Sequence, residues 1–153
     1  MIRKLQILDA AERFGLQPTT VEKDYALGWL LIGAARHGVL SNWVFKGGTC
    51  LKKCFFETYR FSEDLDFTIP PAESLTEASI ATWLGEVAAW LEPTVGLLFP
   101  RDRISVEKYT NPRGNDSFQA KLTYVGPLGL ARHSLQRVKF DLTQDEQIGR
   151  AHV

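Results

Sequence analysis

The sequence predicts an α/β domain, a mixed β-sheet flanked by helices. Three observations lead there. The first ninety or so residues alternate between helical and strand patterns, whereas 103–142 repeat a two-residue alternation broken by turn residues. The chain has 153 residues, enough for one domain with a real core. Its 44% hydrophobic and 24% charged content is ordinary for a globular protein.

Ile2, Leu5, Leu8, Ala11 and Phe14 recur every three residues, which predicts an amphipathic helix ended by Gly15. Thr19 and Glu22, three apart after Pro18, read as a capping box opening a second helix to Arg36, with Gly38 as its stop. Ala26 to Ala35 is almost wholly apolar, so that helix is expected to be buried on more than one side. Trp43 to Lys46 follows as a short strand, Gly47-Gly48 as a turn, and Thr49 to Tyr59 as a helix. Leu51, Cys54, Phe55 and Thr58 make its inward stripe. Pro70-Pro71 closes the next strand, because proline cannot donate to a ladder. Ser74 and Glu77 form a second capping pattern, and Ile80, Trp83, Leu84, Val87, Trp90 and Leu91 keep helical spacing up to Pro93. That stripe reads as core. Val95 to Pro100 is an apolar connector without a clear assignment. Strands are expected over 103–109, 118–124 and 136–142. The last buries Val138, Phe140 and Leu142 and turns Arg137, Lys139 and Asp141 the other way.

The chemistry concentrates in Phe45 to Ile69. In Asp64-Leu65-Asp66-Phe67-Thr68-Ile69 the alternation is strict, so both carboxylates share one strand face, ~7 Å apart along the backbone. Paired carboxylates suit Mg²⁺, a hard cation bound through one or two acids plus substrate phosphates. Upstream, Gly47-Gly48 lets a phosphate approach the backbone, and Thr49 opens a helix whose free N–H groups favour an anion. A phosphate cradle followed by metal carboxylates points to nucleotide chemistry.

Lys46-Gly47-Gly48-Thr49 with Arg60-Phe61-Ser62-Glu63-Asp64-Leu65-Asp66-Phe67 resembles the signature of the AbiEii/AbiGii toxin family. Val21-Glu22-Lys23-Asp24-Tyr25 resembles that family's N-terminal helix, and Val138 to Thr143 its third-acid strand. The resemblance implies a polymerase-β-like nucleotidyltransferase fold and a toxin of a toxin–antitoxin or abortive-infection system. The implied reaction moves a nucleoside monophosphate from a nucleoside triphosphate to an acceptor, RNA and tRNA in particular. It needs Mg²⁺ of the two-metal kind. Asp64, Asp66 and Asp141 are then the catalytic and metal-binding acids. Lys46, Gly47, Gly48, Thr49, Arg60 and Ser62 bind the nucleotide. A cognate antitoxin is an expected partner.

Blander readings stand beside these. Glu22, Lys23 and Asp24 fit helix capping and surface ion pairs, and only the resemblance suggests that they support an active-site loop. Lys46 fits a strand-end surface lysine equally well, and Arg137 and Lys139 fit a solvated face. The alternative to an enzyme is a nucleotide-binding module without turnover.

Eighteen basic residues balance eighteen acidic ones, so any nucleic-acid surface is local, with Lys46, Lys52, Lys53 and Arg60 the evident cluster. No apolar run approaches the ~18 residues of a membrane span. The start lacks a signal-peptide core, and Cys50 and Cys54 read as buried thiols in a reducing compartment; a cytoplasmic location is expected. Neither G-x-S-x-G nor H-E-x-x-H occurs, which argues against serine hydrolase and zinc peptidase chemistry. Ile148-Gly149-Arg150-Ala151-His152-Val153 matches one translated frame of a common sequencing adapter. The nucleotidyltransferase domain is therefore expected over 1–147 as part of a longer protein, with 148–153 a non-native tail.

Overall fold

The computed structural model describes residues 2–46, 64–70, 75–110, 112–114 and 116–144. Among them, helices α1 (Lys4–Phe14), α2 (Pro18–Arg36) and α3 (Glu77–Val95) accompany strands β1 (Val44–Lys46), β2 (Asp64–Ile69), β3 (Ile104–Thr110), β4 (Asp116–Thr123) and β5 (Arg137–Gln144). The strands form one sheet in the order β1-β2-β5-β4-β3. Only the β2–β5 pair is parallel; the other neighbours are antiparallel. This is the expected mixed sheet flanked by helices. The expected helix at Thr49–Tyr59, Cys50 and Cys54, the Lys52–Lys53 pair and the 148–153 tail lie outside the described residues.

Alternation in the strands decides which face meets the helices. Leu65, Phe67 and Ile69 of β2, Val138, Phe140 and Leu142 of β5, and Phe118, Ala120 and Leu122 of β4 are all buried in one cluster with apolar residues of α2 and α3. Phe67 stacks on Phe140 across the parallel pair, ring centroids 5.8 Å apart and planes 9° from parallel. Trp43 meets Phe67 and Trp83 edge-on. The apolar connector after α3 joins this core too: Leu97 and Phe99 are buried, while Leu98 bridges to Val125.

Several local expectations are corrected. The α1 face that packs carries Ile7 and Ala11, whereas Leu5 and Phe14 are 74% and 58% exposed. Three-residue spacing drifts around a helix of 3.6 residues per turn, and the four-residue step from Ile7 to Ala11 tracks the contact better. Helix α2 starts at Pro18 with Gln17 as its N-cap and no side-chain cap, so Thr19 and Glu22 do not form a capping box. Its C-cap is His37, whose Nδ1 accepts from the Val39 and Leu40 N–H groups. Helix α3 is capped by Thr76 and Ser79, each side chain accepting the other's backbone N–H at 3.0 Å. Pro93 does not end it. The helix runs on to Val95 and stops at Gly96, whose φ of 74° is the left-handed conformation that glycine adopts readily.

Gly33 of α2 lies against α3, where an added Cβ would lie 2.7 Å from Val87 Cγ1. Gly33→Ala should gain about 0.5–1 kcal/mol in helix propensity. Overpacking against a stiff β-branched side chain costs about 1–3 kcal/mol, so net destabilisation is expected in urea unfolding. A more stable variant would contradict this close approach.

Candidate active site

The sheet register gathers polar side chains into rows across the face opposite the aromatic core. One row runs Lys46, Asp66, Asp141, Gln119 and Glu107 through β1, β2, β5, β4 and β3. The next carries Asp64, Lys139 and Lys121 through β2, β5 and β4. Asp66 and Asp141 are therefore direct neighbours on parallel strands about 4.8 Å apart, although 75 positions separate them in sequence (141 − 66). Asp64 lies two residues up β2 on the same face. All three carboxylates are half-buried.

Asp66 shows what this crowding does. Its pKa is raised, first by burial, then by the charges of Asp141 and Asp64, and by a hydrogen bond shared with the Asp141 side chain. Lys46, across from it on β1, works in the opposite direction. Gln119 Nε2 donates to Asp141 Oδ1 at 3.1 Å and holds that carboxylate from the β4 side.

Among the described residues, no group of three or more His, Cys, Asp or Glu is already gathered about a point that could hold a metal ion. The chemistry of the donor set nevertheless suits Mg²⁺. The donors are hard carboxylate oxygens from adjacent strands, and burial together with the charges of Asp141 and Asp64 raises the pKa of Asp66, a penalty on the charged form that a cation would relieve. Gly47, Gly48, Thr49, Arg60 and Ser62 lie outside the described residues, so Lys46 alone of the expected nucleotide-binding set has a described position.

Glu22 and Lys23 take places that their sequence context did not reveal. Glu22 is only 2% exposed, and its carboxylate accepts the Leu128 N–H at 2.7 Å, tying the start of α2 to the β4–β5 connection. That buried position corrects the capping and surface reading. Gly126 lies against it, where any Cβ would come within 2.7 Å of the Glu22 carboxyl. One residue further on, Lys23 lines a cleft of about 320 Å³ with Asp64, Leu135, Gln136, Arg137 and Lys139. Gln119 was also missed. Its place on the polar face of β4 was legible, but its contact with Asp141 depends on strand order.

Burial raises the Glu22 pKa, an effect that the Leu128 hydrogen bond only partly offsets. Between the ordinary carboxylate value and the raised folded one, the folded chain keeps a proton that the unfolded chain has released. Stability from this group therefore falls as pH rises through that window. Glu22→Gln keeps an acceptor for Leu128 and removes the titration. Relative to the parent, it should gain stability from pH 4.5 upward in a series of thermal melts. A pH-independent difference would show that Glu22 does not titrate between the two states.

The family model for the nucleotidyl transferase AbiEii toxin of type IV toxin–antitoxin systems matches residues 29–152. The chain belongs to the AbiEii family. No curated protein matches it. For an AbiEii chain, a mixed sheet flanked by helices is consistent with the polymerase-β-like nucleotidyltransferase fold. The three acids all lie within the residues that the AbiEii model matches. Among the described residues, no helix is long and apolar enough to cross a membrane.

Proposed function

We propose that this chain transfers a nucleoside monophosphate from a nucleoside triphosphate to an acceptor hydroxyl, with RNA, tRNA in particular, as acceptor. In this reading it is the toxin of a cytoplasmic toxin–antitoxin or abortive-infection pair with a cognate antitoxin. The observation that carries the proposal is the direct pairing of Asp66 with Asp141, beside Asp64, on a half-buried polar sheet face of an AbiEii-family chain. A purely structural domain has no use for acids held together against their own repulsion.

In the reaction, the acceptor hydroxyl releases its proton to solvent as its oxygen bonds to the α-phosphorus, the bond from that phosphorus to the bridging β-phosphate oxygen breaks, and pyrophosphate leaves. Asp64, Asp66 and Asp141 would hold Mg²⁺, which supplies charge stabilisation for the attacking and leaving oxygens. Gln119 keeps Asp141 oriented through its hydrogen bond. Lys46 offsets part of the negative charge at Asp66. Gly47, Gly48, Thr49, Arg60 and Ser62 are assigned to the nucleotide's phosphates by their motif alone. The aromatic layer of Phe67 and Phe140 beneath keeps the two acid strands in register.

The test is label transfer from an α-labelled nucleoside triphosphate to tRNA by the protein with Mg²⁺. Labelled RNA that disappears with a chelator is expected. Nucleotide bound tightly, with no label passed to any acceptor, would instead identify a binding module without turnover.

A further inference from the structure

The transferase reading leaves a cluster of cations unused. Lys23, Arg137 and Lys139 line the same cleft of about 320 Å³, with Asp64 on its wall. They come from two distant parts of the chain. Arg137 and Lys139 point to the polar face from the start of β5, and Lys23 reaches in from the second turn of α2. Lys23 is placed there by its neighbour, since the buried Glu22–Leu128 hydrogen bond fixes this part of α2 against the β4–β5 connection. A solvated charged face does not need a buried carboxylate to anchor it.

Position separates this cleft from Lys46. Lys46, which leads into the glycine pair, stands on the β1 side of the acids, whereas Lys139 and Arg137 stand on the β5 side. The acids thus have positive charge on both flanks. Three cations converging on one polar cleft favour a compact, multiply charged oxyanion.

We propose that the cleft formed by Lys23, Arg137 and Lys139 is a phosphate-binding seat on the β5 side of the acids, across from Lys46. It takes a phosphate group of a reaction partner, either the tail of the nucleotide or the phosphodiester backbone of a nucleic-acid acceptor. Its existence rests on the cleft and its cations, and only the identity of its ligand rests on the transferase reading.

The experiment measures binding without catalysis, in magnesium-free buffer, using two probes: inorganic triphosphate and a short single-stranded RNA oligonucleotide. Lys23→Gln, Arg137→Gln and Lys139→Gln are compared with Lys4→Gln on the exposed side of α1, which controls for net charge; thermal melts verify folding. Each cleft variant should weaken at least one probe about tenfold at low salt. Loss confined to the oligonucleotide, with a salt slope reduced by about 0.7 per contact removed, assigns the seat to the acceptor backbone. Loss confined to triphosphate assigns it to the nucleotide tail. Unchanged binding of both probes, or an equal loss in Lys4→Gln, overturns the proposal. These outcomes do not depend on transfer. An inactive protein whose cleft variants lose anion binding sinks the transferase reading and leaves the seat standing.

Discussion

Asp66→Asn is expected to abolish nucleotide transfer and, in the absence of divalent cations, to make the fold more stable at neutral pH. The two effects have one cause. Asp66 is partly desolvated and faces Asp141 and Asp64, so its charged form is disfavoured in the folded state. Asparagine keeps the shape and removes that charge. On the linkage argument, the parent loses stability as pH rises from the ordinary carboxylate value through the raised folded one, and the variant does not. Removing one preorganised charged group from a site that stabilises a phosphoryl transition state costs about 10²–10³ in rate or more. Mg²⁺ supplies a third readout. A ligand that binds only the folded state raises its stability, so the parent's melting temperature should climb with Mg²⁺ and the variant's should not. Full transfer by Asp66→Asn, or an equal response of both proteins to Mg²⁺, would remove Asp66 from the metal site.

The strand alternation of 64–69 and 137–142 was legible because a sheet with one buried face must repeat every two residues, and no helix tolerates that pattern. Which strands become neighbours was not. Register and order arise from how the apolar faces of β2, β5 and β4 close over α2 and α3, and no local residue encodes that. Asp141 was nevertheless a candidate, through the resemblance of its strand to a family motif. Gln119 was not, because a glutamine alternating with Lys121 and Thr123 looks solvated until β4 is known to flank β5. Glu22 misled for a different reason. Thr19 and Glu22 have capping spacing, but Pro18 already fits the first helical turn, where its missing N–H costs nothing. That shifted the cap and left Glu22 free for a distant backbone donor. Similarly, Pro93 reads as a terminator, yet a proline in the final turn forfeits a single ladder bond, and the helix continues until Gly96.

Phe140→Ala tests the other side of the same strand. Phe140 is 1% exposed and stacks on Phe67, and its neighbours on β5 are Lys139 and Asp141 on the polar face. Truncating a buried phenylalanine removes its transfer free energy and leaves a cavity, a combined cost of about 3–5 kcal/mol. For a chain of this length, a loss of that size lowers the melting temperature on the order of 10 °C. Lys139→Gln, one residue away and facing the other side, should change stability by less than about 0.5 kcal/mol. Urea unfolding of the two variants measures the contrast directly, and equal losses would mean that β5 does not divide into a core face and a polar face. The comparison with Asp66→Asn sharpens the test. Where folded, Phe140→Ala should retain transfer at low temperature, because the carboxylates keep their strand positions. Asp66→Asn should stay folded and lose transfer. An acid whose role was structural would fail in the same way as the phenylalanine, losing stability first and activity only through it.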